Sequence, residues 1–274
     1  MRLVQFLKNG LPALGIETKR GVIDAAATDP YAPSTMAGAC RVGADVLPLL
    51  AEIAKNEKAR LVEPERLIYA PVVTYMEKIL CVGFNYGAHT EEVKANPPQL
   101  PTIFAKFPNT LAAHNQVVKI PAGAKKIDYE AELVVIMGRD KKPFAYTVGN
   151  DLSIREWQKE APTWIVGKNA DGFGPIGPVA VTADSLDPAD LAIELRRNGK
   201  LVQSSRTGDM VFSIQQIIDY IDPRIPLRPG DVLFTGTPSG TIIGMPYEKR
   251  DWLKPGEVLE ATIEGIGTLR TKMG

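Results

Sequence analysis

The chain has 274 residues, of which 45% are hydrophobic and 23% are charged, so it is long enough for one large globular domain and a small one. Lysine plus arginine and aspartate plus glutamate number 32 each, and this zero net charge argues against a protein that binds nucleic acid or an anionic membrane surface. No stretch is apolar enough for a signal peptide or a membrane span, which predicts a cytoplasmic protein.

Cysteine and histidine are scarce. Two cysteines, Cys40 and Cys81, are too few for a disulfide framework. Two histidines, His89 and His114, exclude most zinc arrangements. Any bound metal is therefore expected to have oxygen ligands.

Residues 1–75 form the first predicted unit, a small α/β domain. Its predicted strands, joined at Asn9-Gly10 by a hairpin turn, are Leu3–Leu7, Ala13–Glu17 and Gly21–Asp24. One amphipathic helix is predicted over residues 44–56. The unit lacks a cluster of catalytic residue types, so we expect a structural or dimerising role and a domain boundary near residue 75.

The next segment brings together a histidine and a carboxylate. A predicted strand over 79–84 leads into a turn that contains His89 and Glu92. If this turn is helical, the two side chains share one face, because they are spaced i and i+3. A carboxylate beside an imidazole fixes its tautomer and raises its basicity, which suits a general base that activates water. The alternative is a surface histidine with an incidental acidic neighbour.

Residues 127–137 alternate like a half-buried strand. One face is apolar and comprises Ile127, Tyr129, Ala131, Leu133, Val135 and Met137. The other face begins with three carboxylates, Asp128, Glu130 and Glu132. Unpaired carboxylates at the buried end of a strand repel one another, and a divalent cation would resolve that conflict. The alternative is a solvated strand face.

Two further segments carry candidate ligand-binding side chains. A helix predicted to open at Asp151 places Arg155 and Gln158 at i and i+3. Residues 164–175 are predicted to run from a strand into a loop. There Lys168 lies among small residues, where an ammonium group could approach a ligand or metal, or could simply be solvated.

The C-terminal part is predicted to be β-rich. A hairpin turn is predicted at Asn198-Gly199, and a capped helix over 213–221. The loop 235–240 has small hydroxyl and glycine residues whose N–H and O–H groups could receive a carboxylate. The chain does not alternate strands with long helices, so a mainly β, α+β fold is predicted rather than a doubly wound sheet.

In this order the motifs resemble the fumarylacetoacetate hydrolase family over about residues 76–274. The residues that carry the resemblance are Lys78 to Glu92 with its Asn-Tyr-Gly-Ala-His-Thr-Glu-Glu end, Asp128 to Leu133, Asn150-Asp151, Gly167-Lys168, Met210 to Ile214 and Thr235 to Gly240. The resemblance implies a mixed β-roll, a homodimer, and a site at the mouth of the roll. One departure is the short segment 139–150, which lacks a helical insertion common in the family.

The resemblance also implies roles for individual residues. Mg²⁺ or Mn²⁺ would be held by Glu130, Glu132 and Asp151, and would polarise the carbonyl of a 2-oxo acid. His89 and Glu92 would activate water, and Lys168 would stabilise an enolate. The residues expected to contact substrate oxygens are Arg155, Gln158 and Thr237.

Three functions follow as hypotheses. The first is a Mg²⁺-dependent hydrolase that cleaves a C–C bond of an acylpyruvate-like 1,3-diketo acid through an enolate. The second is an oxaloacetate-type decarboxylase, or an isomerase or hydratase of an unsaturated 2-oxo diacid, because the same enolate serves these reactions. The third is a metal-binding scaffold without catalysis. The substrate itself is not readable from the sequence.

Overall fold

The computed structural model describes residues 1–274 and contains 18 β-strands and seven α-helices. The strands are β1 Arg2–Lys8, β2 Leu11–Thr18, β3 Gly21–Asp24, β4 Ile79–Gly83, β5 Thr102–Lys106, β6 Leu111–Ala112, β7 Val117–Val118, β8 Ile127–Asp128, β9 Ala131–Met137, β10 Pro143–Asn150, β11 Ser153–Ile154, β12 Gly174–Pro175, β13 Val179–Thr182, β14 Ala192–Arg197, β15 Lys200–Arg206, β16 Val232–Phe234, β17 Val258–Ile263 and β18 Gly267–Met273. The helices are α1 Ala25–Thr28, α2 Met36–Val42, α3 Leu47–Lys55, α4 Gly87–Glu92, α5 Arg155–Gln158, α6 Ile165–Lys168 and α7 Ile214–Ile221. The predicted mainly β, α+β class is confirmed. None of the helices is long and apolar enough to cross a membrane.

Two large sheets organise the fold. The first has nine strands in the order β3-β2-β1-β13-β10-β9-β16-β4-β5, and the second has five in the order β15-β14-β17-β18-β7. Strand β9 lies inside the first sheet, antiparallel to β10 and to β16. Strand β10 pairs along all of β9, down to Ala131 at its N-terminal end, and β16 pairs with residues 134–136.

Both faces of the nine-stranded sheet are covered, which explains why β9 is apolar on both sides. Leu133, Val135 and Met137 belong to a core shared with the five-stranded sheet. Val134 and Ile136 belong to a second core that includes residues of α2 and α3. The predicted alternation is therefore confirmed, and what looked like a half-buried strand is buried throughout.

The N-terminal strands belong to the nine-stranded sheet. Strand β1 pairs antiparallel with β13, with Leu3 opposite Ala180. The hairpin at Asn9-Gly10 is present, with positive φ at both residues, as such two-residue turns require. The proposed boundary near residue 75 stays a prediction, although backbone pairing and the second core cross it.

The helical part of this N-terminal unit differs from its prediction. Residues predicted as one helix form a short 3₁₀ turn, Gly43–Val46, followed by α3. Pro48 occupies an early position of α3, where its missing N–H costs no hydrogen bond. Helix α2 was not predicted, although Thr35 caps it by accepting a hydrogen bond from Gly38 N.

The predicted strand 127–137 is interrupted. Strand β8 pairs with β11, whereas β9 pairs with β10, and the chain changes partner at Tyr129 and Glu130. After β9 the segment 139–150 forms a turn and then β10, so the chain returns directly along the same strand. This short return brings Asp151 next to the start of β9, where Asp151 N donates to Glu130 O at 2.9 Å.

The prediction that residues 164–168 are a strand is wrong. Trp164 has a left-handed backbone with φ 60°, and α6 follows it. The preceding helix is also shorter than predicted, because α5 begins at Arg155 rather than at Asp151. A Cβ on Gly167 would lie 2.5 Å from the backbone of Gln158, so glycine is what allows α5 and α6 to pack closely.

Candidate active site

A cavity of about 1020 Å³ opens beside the N-terminal end of β9. Its walls come from the end of β4, from α4 with the residues that follow it, from α5 and α6, and from the loop 237–250. Of the residues predicted to act at the site, eight line it, namely His89, Glu92, Glu130, Glu132, Arg155, Gln158, Lys168 and Thr237. The ninth, Asp151, is fully buried behind the wall. The tertiary structure thus brings all nine together.

Three carboxylates meet at the floor of this cavity. Oxygen atoms of Glu130, Glu132 and Asp151 lie within 4.8 Å of one another, and all three residues are buried. Glu132 lies at the start of β9 and Glu130 just before it, and Asp151 directly follows β10, the antiparallel partner of β9. We refer to these three residues as the acidic trio.

Buried cations neutralise two members of the trio. Lys168 Nζ donates to Glu130 at 2.7 Å and to Asp151 at 2.6 Å, and Lys106 Nζ donates to Asp151 at 2.6 Å. Arg155 Nη2 donates to Glu130 at 2.5 Å. Burial alone would raise the pKa of Glu130, but the charges of Lys168 and Arg155 outweigh it and hold that pKa well below its ordinary value. The same carboxylates outweigh the effect of burial on Lys168 and raise its pKa.

Glu132 is the member without a cation partner. Its carboxylate accepts one hydrogen bond, from Gly236 N at 2.7 Å, and forms no ion pair. Burial, followed by the charges of Asp151 and Glu130, raises the pKa of Glu132 well above its ordinary value. A divalent cation fits this donor set, because it would supply the missing positive charge and prefers carboxylate oxygens.

The electrostatic balance of the site points the same way. Four buried carboxylates, the acidic trio and Asp128, face three buried cations, Lys106, Arg155 and Lys168. With all four carboxylates ionised, one negative charge stays uncompensated in a region of low dielectric constant, and burial of this charge beside Asp151 and Glu130 raises the pKa of Glu132. A divalent cation would compensate that charge.

Asp128 lies outside the trio. Its carboxylate accepts from Arg155 Nε at 2.8 Å and from the backbone N–H groups of Ile242 at 2.8 Å and Ile243 at 2.9 Å. Asp128 therefore holds both Arg155 and the loop after β16. Of the three carboxylates on the predicted strand face, only two reach the trio, and Asp151 supplies the third.

The predicted histidine–carboxylate pair is present on α4. His89 Nδ1 lies 2.8 Å from Glu92 Oε1, and both side chains are largely buried. Gly240 N and Thr241 Oγ1 each donate to the Glu92 carboxylate at 2.9 Å. These hydrogen bonds, with that from His89, outweigh burial and lower the pKa of Glu92. Since an ionised carboxylate only accepts hydrogen bonds, Nδ1 carries the proton and Nε2 is the basic nitrogen of His89.

The predicted substrate-contacting residues already have protein partners. Arg155 Nη1 donates to Gln158 Oε1 at 2.9 Å, which joins the two side chains as their i, i+3 spacing predicted. The hydroxyl of Thr237 donates to Ala131 O at 2.9 Å and accepts from Gln203 Nε2 at 2.9 Å. Their contacts with substrate stay predictions.

Two residues that contact the site were not predicted from the sequence, Lys106 and Gln203. Lys106 ends an apolar strand and is buried, with a relative exposure of 2%. The feature of the sequence that could have indicated Lys106 is its position as the only charged residue of an otherwise apolar strand end. Gln203 lies on β15 in the other sheet and touches the start of β9, where its Oε1 accepts from Ala131 N at 3.0 Å. No local sequence feature indicates that distant contact.

Comparison with known proteins gives consistent relatives. Residues 78–273 match the model of the fumarylacetoacetate hydrolase C-terminal family. The mitochondrial oxaloacetate tautomerase Fahd2a of Rattus norvegicus is 35% identical over 289 residues, which cover 100% of this chain and 91% of that protein. The fumarylacetoacetate hydrolase structure from Exiguobacterium antarcticum is 29% identical, with a TM-score of 0.82 and coverage of 100% of this chain and 99% of that one. The structure of fumarylpyruvate hydrolase from Pseudomonas aeruginosa in complex with Mn²⁺ and pyruvate is 28% identical, with a TM-score of 0.65 and coverage of 72% and 89%.

Proposed function

The chain belongs to the fumarylacetoacetate hydrolase family, and on that basis we propose that it is a divalent-metal-dependent enzyme that interconverts the enol and keto forms of a 2-oxo dicarboxylic acid such as oxaloacetate. The observation that carries the proposal is the presence, in one cavity, of the acidic trio and of an imidazole backed by an ionised carboxylate. Relatives that align over the whole chain are named oxaloacetate tautomerases, which favours this reaction over the others that an enolate can serve.

Glu130, Glu132 and Asp151 would hold Mg²⁺ or Mn²⁺. The ion would act as a Lewis acid toward the oxygens of a 2-oxo acid. Mn²⁺ has a precedent in the fumarylpyruvate hydrolase structure, which contains that ion together with pyruvate.

Three cations of the chain support the negative charge that develops on the substrate. Lys168 and Arg155 line the cavity and already donate to carboxylates at its floor. Lys106 lies behind them and holds Asp151. Because these side chains are fixed by ion pairs before the substrate arrives, little reorganisation is needed as the enolate forms.

The dyad of His89 and Glu92 moves the proton. Starting from the keto form, the basic Nε2 of His89 takes a proton from C3, and the C2 oxygen takes up a proton from the imidazolium to give the enol. In the reverse direction Nε2 removes the proton of the enol hydroxyl, and the imidazolium delivers a proton to C3. The carboxylate of Glu92 stabilises the imidazolium in between and keeps the ring oriented through Nδ1. No bond between heavy atoms forms or breaks in this reaction.

Hydrolysis of an acylpyruvate-like 1,3-diketo acid is the second candidate, and the dyad favours it as well. Nε2 of His89 would remove a proton from water, whose oxygen adds to the distal carbonyl. The bond between the two carbonyl-bearing segments then breaks, giving a carboxylic acid and the enolate of pyruvate, which takes up the proton. Oxaloacetate has no distal ketone, so the two reactions can be separated by the choice of substrate.

The test is turnover by the purified protein in Mg²⁺ and, separately, in EDTA. Decay of the enol absorbance of oxaloacetate reports tautomerisation, and loss of the diketo absorbance of acetylpyruvate reports hydrolysis. Accelerated enol decay that EDTA abolishes, without loss of acetylpyruvate, is the expected result. Acetylpyruvate cleavage alone would favour the hydrolase, and metal binding without turnover of either substrate would favour a non-catalytic scaffold.

Two further properties remain proposals. We infer a homodimer from the family resemblance, and a cytoplasmic location from the sequence, although Fahd2a of Rattus norvegicus is named as mitochondrial. Size-exclusion chromatography with light scattering tests the first, and fractionation of cells that make the protein tests the second.

A further inference from the structure

Three cations line the cavity without an ion-pair partner in the protein. They are Lys94, Lys159 and Arg250. We infer that Arg250 binds the distal carboxylate of the substrate, and so makes the enzyme selective for 2-oxo dicarboxylates over 2-oxo monocarboxylates. This inference rests on the proposed function, because it assigns the second charge of the same substrate.

Arg250 is the only one of the three cations whose side chain donates a hydrogen bond within the protein. Its Nε donates to Met245 O at 2.9 Å, and its guanidinium carbon lies 5.7 Å from the ring centre of Tyr247. These contacts leave the Nη groups without a protein acceptor, although arginine donates through a fork that matches a carboxylate. Lys94 and Lys159 are exposed, and their Nζ atoms have no hydrogen-bond partner in the protein. They would have to be ordered by the ligand, which costs side-chain entropy.

The loop that carries Arg250 is tied to both chemical centres of the cavity. At its start, Gly240 N and Thr241 Oγ1 donate to Glu92 of the dyad. Two residues later, the N–H groups of Ile242 and Ile243 donate to Asp128, which in turn binds the arginine that holds Glu130.

The same loop passes very close to the dyad at Gly244. A Cβ at this glycine would lie 2.3 Å from Glu92 Cδ, so the backbone lies directly against the carboxylate. Arg250 is thus placed on a segment whose position relative to the base and the acidic trio is fixed by hydrogen bonds. A ligand held at Arg250 is therefore oriented with respect to both centres.

The charge of the substrate supplies the reason for such a residue. A 2-oxo dicarboxylate carries one carboxylate beside the carbonyl and a second at the other end of the chain. The distal carboxylate loses hydrating water when it enters a partly enclosed cavity. This desolvation cost is offset only if a cation with free hydrogen-bond donors binds the carboxylate. A guanidinium does so through two parallel hydrogen bonds.

The test compares oxaloacetate with 2-oxobutanoate, which has the same four-carbon chain with a methyl group in place of the distal carboxylate. Exchange of the C3 protons with D₂O, followed by NMR, measures enolisation of both compounds by the Mg²⁺-loaded protein. Calorimetric dissociation constants for both provide a readout that does not depend on turnover. The variants are Arg250→Met, Arg250→Lys and, as a matched control, Lys249→Met, which removes a neighbouring charge that does not line the cavity.

For Arg250→Met we expect the KM and the dissociation constant of oxaloacetate to rise about 10- to 100-fold, the value of a hydrogen bond between charged groups. Both constants for 2-oxobutanoate should change less than about twofold, and kcat for oxaloacetate should change little. For Arg250→Lys, the KM and the dissociation constant of oxaloacetate should lie between those of the wild type and of Arg250→Met, since lysine keeps the charge but cannot donate two parallel hydrogen bonds. Lys249→Met should match wild type for both compounds.

Equal affinity of the wild-type protein for the two compounds would overturn the inference. Equal weakening of both by Arg250→Met would also overturn it, because that is the signature of a merely structural role. If the wild-type protein exchanges neither compound, the proposed function fails, but the dissociation constants still decide the role of Arg250. A preference for oxaloacetate that disappears in Arg250→Met would then support the binding role without the reaction.

Discussion

Glu130 and Glu132 are two residues apart on the chain and lie in the same acidic trio, yet their replacement by glutamine should have opposite consequences for the metal-free protein. Glu130 accepts hydrogen bonds from Arg155 and Lys168, which are both buried. Glu132 accepts one hydrogen bond, from the backbone N–H of Gly236, and has no ion-pair partner. The two substitutions therefore separate a carboxylate that holds two buried cations from one that has no cation partner in the protein.

The magnitude follows from the partners that each substitution leaves behind. Glu130→Gln keeps one oxygen acceptor but removes the charge opposite two buried cations, and breaking a buried pair in this way costs about 3–5 kcal/mol. Taking the lower end, a loss of about 3 kcal/mol lowers Tm by roughly 6–12 °C in a chain of this size class. Glu132→Gln removes a buried charge without orphaning a partner, and its amide oxygen can still accept from Gly236. The free energy of unfolding should stay unchanged or increase by up to about 2 kcal/mol.

Metal binding should stabilise the wild-type protein more than Glu132→Gln. A divalent cation at 100 times its Kd stabilises the wild-type protein by about 2.7 kcal/mol, and each tenfold loss of affinity removes about 1.4 kcal/mol of this. Glu132→Gln removes a charged ligand, so its response to Mg²⁺ or Mn²⁺ should be strongly reduced.

The assay is thermal unfolding by circular dichroism of the wild type and both variants, first in EDTA and then with increasing Mg²⁺ or Mn²⁺. In EDTA we expect Glu130→Gln to have a lower Tm than the wild type, and Glu132→Gln to have the same Tm or a higher one. When metal is added, the Tm of Glu132→Gln should rise less than that of the wild type. Equal destabilisation of both variants in EDTA, or a full metal-dependent rise of Tm in Glu132→Gln, would contradict these roles of the two carboxylates.

Three further predictions concern the dyad and the packing of the helices. His89→Gln should lower turnover about 100- to 10,000-fold with the Mn²⁺ affinity unchanged, and a parallel loss of Mn²⁺ binding would contradict the role of a general base. Hydrogen bonds from His89 and Gly240 outweigh burial and lower the pKa of Glu92 in the folded protein. The ionised Glu92 therefore stabilises the fold fully above about pH 4.5, the ordinary pKa of a glutamate, and this stabilisation is lost as the pH falls through the lower pKa of the folded protein. In denaturant titrations at a series of pH values, the free energy of unfolding of Glu92→Gln should fall less at acid pH than that of the wild type. The same fall in both proteins would disprove this role of Glu92. Gly167→Ala should destabilise the protein by about 1–3 kcal/mol in the same titrations, since its Cβ would meet the backbone of the preceding helix, whereas Gly87→Ala, where a Cβ meets open space, should not.

The sequence contained the information for β9 and for the dyad, because both depend on local spacing. Alternation with period two assigned Leu133, Val135 and Met137 to one face. The i, i+3 spacing of His89 and Glu92 placed them together once the turn was helical. The resemblance to a family then supplied the fold and the proposed ligand set, which local patterns do not contain.

The local pattern of the strand did not decide which carboxylates meet, whereas the tertiary structure did. On the sequence, Asp128 looked equivalent to Glu130 and Glu132, but the chain changes strand partner after Asp128. Asp128 then pairs with Arg155, while the antiparallel return of β10 brings Asp151 to the trio instead. Which strands become neighbours depends on the packing of the whole sheet, so the composition of one strand cannot reveal it.

The charge balance of the site was equally invisible in the sequence. Lys106 and Lys168 come from a strand and a helix that are 62 residues apart, and both reach Asp151. In this buried region each ion pair is strong and each missing partner is costly. For this reason the pKa of Glu130 is lowered, whereas the pKa of Glu132 is raised. The sequence by itself determined which residue types were available for the proposed metal site, and the fold determined which of these carboxylates are paired with cations and which one is not.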